Sequence, residues 1–205
     1  MDYVDYIKAE YFDTYVQERD YLADRLIEAK YNLQFLKMMH ERSEAFGNDY
    51  GTAERFEIRY VLKRTYITVA WELAIQVKAF TDDNDKDSLT INKFKNNFFR
   101  YIRDDKKQEY FDLLGVIIRT SDWDYSNKLV SNISDYRNKV VGHNIVNAPE
   151  LTFDINKADL VISQYEKLFN VLCFQNKTYA ERVVDLYDEK ARFITAYLDA
   201  VLPLK

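Results

Sequence analysis

Turn-forming residues are nearly absent from this chain: four glycines and two prolines serve 205 residues. Sheet-rich folds reverse direction every few residues and use Gly and Pro repeatedly, because Gly supplies positive φ and Pro presets a turn. A chain without them is restricted to long helices joined by few loops. The expected fold class is therefore all-α, a helical bundle with a long N-terminal helix. Hydrophobic residues at 47% supply enough apolar surface for a core, and the length suits one well-filled domain, 1–205.

The periodicity divides the chain. Residues 3–46 read as one long helical stretch, on which Leu22, Leu26, Ala29, Leu33, Leu36 and Met39 recur at three- and four-residue steps. The segment "GNDYG" (47–51) interrupts it. A second helix runs from Thr52 to Phe80 on the stripe Leu62, Tyr66, Val69, Leu73 and Val77, and widens to an apolar surface at "YITVAWELAI", as a central helix does. The acidic "TDDNDKDSL" (81–89) lacks the glycine and terminal glutamate of a calcium loop, and reads as a solvated turn with an N-cap at Ser88 or Thr90. Helices follow at 90–103, 105–119 and 122–141, with "RDDKKQE" (103–109) as a solvated connection and Gly142 as a left-handed C-cap. After a connector around Pro149, a helix covers 156–175, and "TYAE" (178–181) opens the last with a capping-box pattern. No internal repeat or low-complexity linker divides the chain.

Several function classes drop out. No run of eighteen apolar residues exists to span a membrane, and the start "MDYVDYIKAEYFD" lacks the pattern of a secretion signal. The single cysteine, Cys173, cannot form an internal disulfide and reads as a buried thiol. These features point to a cytoplasmic protein without a membrane partner. A formal charge of −5 excludes a global basic field for nucleic acid, yet residues 90–145 carry ten basic against seven acidic side chains, a surplus that permits RNA contact. No HExxH, HD pair, cysteine knuckle, Walker loop or GxGxxG is present, so no metal or nucleotide cofactor is expected.

What remains is "SDYRNKVVGHN" (134–144), which holds one of two histidines six positions after Arg137. On an unbroken helix that offset turns His143 about 240° from Arg137 and lifts it about 9 Å. Gly142 changes the geometry, because positive φ lets the chain reverse and bring His143 back over the last turn. Arg137 could then hold a phosphate bidentately, with Asn138 beside it, while His143 moves a proton. That set suits metal-free phosphodiester cleavage using the 2′-hydroxyl of RNA. The plainer alternative is that His143 caps helix carbonyls and Arg137 pairs with Asp135 or another acid. His40, in "LKMMHER", reads as a surface or partly packed helix residue. The seventeen tyrosines, as in Tyr3/Tyr6 and Tyr11/Tyr15, read as amphipathic packing ahead of base stacking. A triad of Ser121, Asp122 and His143 can be drawn on paper, but no strained elbow motif supports it.

The stretch "RNKVVGH" resembles the R-x(4–6)-H signature of HEPN domains, in which the arginine is typically followed by Asn, Asp or His, a detail Asn138 meets. The run "VLKRTYITVAWELAIQVKAF", an acidic loop, "SLTINKF" and "YRNKVVGHNI" are together similar to the abortive-infection AbiU-type branch, over roughly residues 55–175. Five residues separate Arg137 from His143 where four is commonest, and Gly142 stands where many members have alanine. The resemblance implies a HEPN-like helical bundle that homodimerises so that two motifs meet, and a metal-independent endoribonuclease of a toxin–antitoxin or antiphage defence system. It makes Arg137 the phosphate-binding residue, Asn138 its orienter and His143 the acid or base, with RNA as substrate and an antitoxin or defence-system protein as partner. It equally admits a non-catalytic dimerisation or interaction module.

Overall fold

The computed structural model describes residues 5–45, 53–82, 88–142, 153–173, 188–189 and 191–200. They are helical almost throughout: α1 (Phe12–Ala45), α2 (Ala53–Thr81), α3 (Ile91–Tyr101), α4 (Lys107–Ile118), α5 (Ser121–Gly142), α6 (Ile155–Leu172) and a further helical stretch at 191–200. Among these residues the sole β feature is an isolated antiparallel bridge between Ile7 and Ile102. The all-α expectation holds.

The stripe read on α1 is the buried one: Leu22, Leu26, Ala29, Leu33, Leu36 and Met39 all face inward. At a rise of about 1.5 Å per residue α1 is roughly 50 Å long, long enough to lie along α2 and α6 together. Helix α2 contributes Ala70, Leu73, Ala74, Val77 and Phe80 to the centre, and α5 packs against α2 and α6. Helix α3 starts where Thr90 accepts a hydrogen bond from the Lys93 N–H at 3.1 Å, which decides between the two expected caps. Its Phe94 stacks on Tyr15 and its Phe98 meets that ring edge-on, with centroids 5.7 and 5.8 Å away. Tyr15 donates its hydroxyl hydrogen to the Leu172 carbonyl at 3.0 Å, tying the start of α1 to the end of α6. A smaller cluster of Met39, Ile194 and Leu198 holds 191–200 against the far parts of α1 and α2, backed by an ion pair of Arg42 with Asp199 at 2.6 Å.

The beginning of the chain departs from its periodicity. The expected helix from residue 3 starts only at a 3-10 turn, Ala9–Tyr11, preceded by Lys8 in extended conformation. The Lys8 N–H donates to the Tyr101 carbonyl and the Arg103 N–H to the Tyr6 carbonyl, at 2.8 and 2.9 Å. Buried Tyr6 and Ile7 thereby close over the end of α3. Two long-range backbone bonds and two buried side chains outweigh one more turn of helix. The Tyr3/Tyr6 helical pairing fails for the same reason at Tyr6, while Tyr3 lies outside the described residues. The connection at 103–109 is solvated as expected, with Asp104 paired to Lys107 at 2.5 Å on an exposed 3-10 turn.

Candidate functional site at the end of helix α5

Helix α5 is built to present its last turns at a fixed place. Thr120 opens it by accepting from the Trp123 N–H at 3.2 Å, and Asp122 and Asp124 in the first turn complement the helix dipole. Trp123, Ser126, Leu129, Ile133 and Tyr136 are buried at three- and four-residue steps. Trp123 lies 5.1 Å from the ring of Tyr165 on α6, whose hydroxyl donates to Asn127 Oδ1 at 3.1 Å. The helix is thus clamped to α6 near its start and packed on α2 along its length.

At the other end Tyr136 meets Phe153 edge to face, with centroids 5.1 Å apart and planes at 65°. Phe153 immediately precedes Asp154, which caps α6 by accepting from the Lys157 N–H at 3.1 Å. The chain that leaves α5 at Gly142 therefore comes back onto α5 at Phe153. Gly142 is the last residue of α5, and the reversal expected after it, over 143–152, lies outside the described residues.

Electrostatically this end is a cluster of phenols beside an acid. Burial, with the phenol of Tyr66 adding to it, pushes Tyr136 up to about 12. Tyr66 on α2 is itself raised by burial and by the nearby Asp154 carboxylate. Burial alone would raise Asp154, but its hydrogen bonds and ion pair with Lys157 hold its carboxyl below the ordinary value. Tyr66, Tyr136 and Asp154 are the site neighbours that sequence reasoning did not assemble. No local signal joins them, since each belongs to a different helix and Tyr66 looks like any other member of an apolar stripe.

Arg137 and Asn138 lie in the last two turns of α5 as expected, and their side chains fall outside the described set. His143 lies outside the described residues. The helical register still separates the first two. At about 100° per residue, backbone position 137 is about 40° around the helix from Ile133 and position 138 about 140°.

The other candidates sort readily. Ser121 and Asp122 open α5, and Gly142 closes it roughly 30 Å away, so the paper triad has no geometric basis within one chain. His40 is exposed on α1, as read. Cys173 is buried at the C-cap of α6, and burial pushes its thiol far above its usual value. Tyr15, Tyr101, Tyr110 and Tyr165 pack inside, while among the described residues Tyr21, Tyr60 and Tyr125 are exposed. Residues 83–87 of the acidic loop and the "TYAE" cap lie outside the described residues. Among the described residues no three His, Cys, Asp or Glu side chains group as a metal site, and no helix is long and apolar enough to cross a membrane. No family model, curated protein or solved structure matches this chain.

Proposed function

We propose that the chain is a HEPN-type, metal-independent endoribonuclease whose reacting groups are Arg137, Asn138 and His143. The observation that carries this reading is the packing of Phe153 on Tyr136. His143 opens a ten-residue connector whose two described ends both sit at the last turns of α5, the turns that bear Arg137 and Asn138. In this scheme Arg137 holds the scissile phosphate with two parallel N–H donors and offsets charge growing on its oxygens. His143 takes the proton from the 2′-hydroxyl or gives one to the leaving 5′-oxygen. Asn138 orients the phosphate or the guanidinium. One chain supplies one such histidine, and a symmetric homodimer supplies a second on an identical surface. A nuclease of this kind is harmful unless restrained, so a toxin or antiphage effector held by an antitoxin or defence-system protein is the setting proposed.

The test is RNA cleavage in EDTA by the wild type and His143→Ala side by side. Cleavage leaving a 2′,3′-cyclic phosphate, lost in His143→Ala and Arg137→Ala but kept in His40→Ala, is the expected result. Cleavage that needs magnesium, or survives both substitutions, overturns the assignment. One observation favours the alternative of a non-catalytic interaction module: α4 leaves large apolar side chains uncovered. A clean, folded wild type that cuts no RNA while self-associating selects that alternative.

A further inference from the structure

Helix α4 buries Tyr110 and Leu114 and leaves its opposite side bare. Val116 is 74% exposed and Phe111 52%, values unusual for such side chains on a packed helix. Phe111 is held out by Phe99, on which it stacks at 4.6 Å. Between these two apolar shoulders runs a straight row at four-, three- and four-residue steps: Gln108, Asp112, Gly115 and Arg119. The six residues line one shallow groove.

The row carries opposite charges on either side of its middle. The Arg119 guanidinium folds back over Gly115, with its carbon 3.7 Å from where a Cβ would stand. One turn earlier, Asp112 accepts from the Gln108 amide at 3.1 Å. A mid-helix glycine such as the half-buried Gly115 costs about 1 kcal/mol against alanine. Here the missing side chain lets the guanidinium lie low on the helix, so that another surface can come close.

We propose that this face of α4 docks against the same face of a second copy, with the two helices antiparallel. Such a two-fold, at the level midway between Asp112 and Gly115, brings each Arg119 guanidinium opposite the other copy's Asp112. It also keeps each shoulder on its own side of the seam, so the two Val116 side chains line one edge of the contact and the two Phe111 rings the other. The face is complementary to itself, as an isologous contact requires. A 12-residue helix is about 18 Å long, so a single helix pair falls short of the roughly 800 Å² per partner of a standard interface. The contact is therefore a small one of the weak, transient class, and its occupancy rises with concentration. It is a contact separate from the α5-end dimer proposed for cleavage and uses none of the groups assigned to that reaction, so its loss in Val116→Asp leaves that dimer and RNA cleavage unchanged.

The full chain is followed by sedimentation and light scattering from micromolar to sub-millimolar concentration, as wild type, Val116→Asp, Asp112→Arg, Arg119→Asp and the double reversal Asp112→Arg/Arg119→Asp. Val116→Asp and each single reversal should lower the wild type's particle mass at high concentration, because each reversal faces like charges twice per contact. The double reversal restores opposite charges and should restore the mass, which also shows that the single variants did not simply misfold. A wild type that is monomeric throughout the range overturns the proposal, even if some other protein binds α4. So does a mass indifferent to Val116→Asp, or a double reversal no better than the single ones.

Discussion

The contact of Tyr136 with Phe153 decides whether the chain returns to the end of α5, and a double-mutant cycle measures it. Tyr136→Leu and Phe153→Leu keep bulk and hydrophobicity but remove one ring each, so neither opens a large cavity. Both residues are nearly fully buried, at 7% and 6% exposure. Each single substitution should therefore cost about 1–2 kcal/mol, near the low end for core changes of imperfect shape. The edge-to-face geometry, at 5.1 Å and 65°, lies within the range where aromatic pairs are worth about 0.5–1.5 kcal/mol beyond their burial. The double variant should thus lose less than the sum of the singles by about that amount. Urea unfolding followed by circular dichroism at 222 nm reads the difference, provided the four proteins share one m-value. Independent sites add to within about 0.3–0.5 kcal/mol. Strict additivity would show that the rings do not meet, and the support that this contact lends to the proposed site would go with it.

Three further outcomes follow from single contacts. Tyr15→Phe removes the hydroxyl that donates to the Leu172 carbonyl and leaves that buried acceptor unpaired, so unfolding stability should fall by about 1–2 kcal/mol, measured by urea titration. Thr90→Ala deletes the cap on the Lys93 N–H and should cost about 1 kcal/mol, whereas Thr90→Ser should keep most of it. The Tyr136 phenol is raised from 10 to about 12 in the folded state, so the folded protein holds a proton that the unfolded chain releases first. Its contribution is complete below pH 10 and is lost as pH rises through 12. Stability measured between those values should therefore fall more steeply for the wild type than for Tyr136→Phe, and parallel curves would contradict the burial of that hydroxyl.

Much of this was legible in the chain itself, for a local reason. An α-helix is closed by hydrogen bonds between residues four apart, so its presence, its apolar stripe and its stops are written in short windows. The stripe from Leu22 to Met39, the Thr90 cap, the span of α5 to Gly142 and the buried Cys173 were all readable that way. The motif from Arg137 to His143 was likewise visible as a pattern of residue types. Tertiary structure decided what no window contains. Tyr6–Lys8 gave up helix because Tyr101 and Arg103 offered backbone partners nearly a hundred residues away. Tyr66, Tyr136 and Asp154 became neighbours because the middle of α2, the last turns of α5 and the start of α6 meet. Helix α4 is as apolar as its neighbours, yet its outer face stays bare because no other described helix covers it. Periodicity tells a helix which side is apolar; only the packing of the whole chain settles which apolar sides are covered.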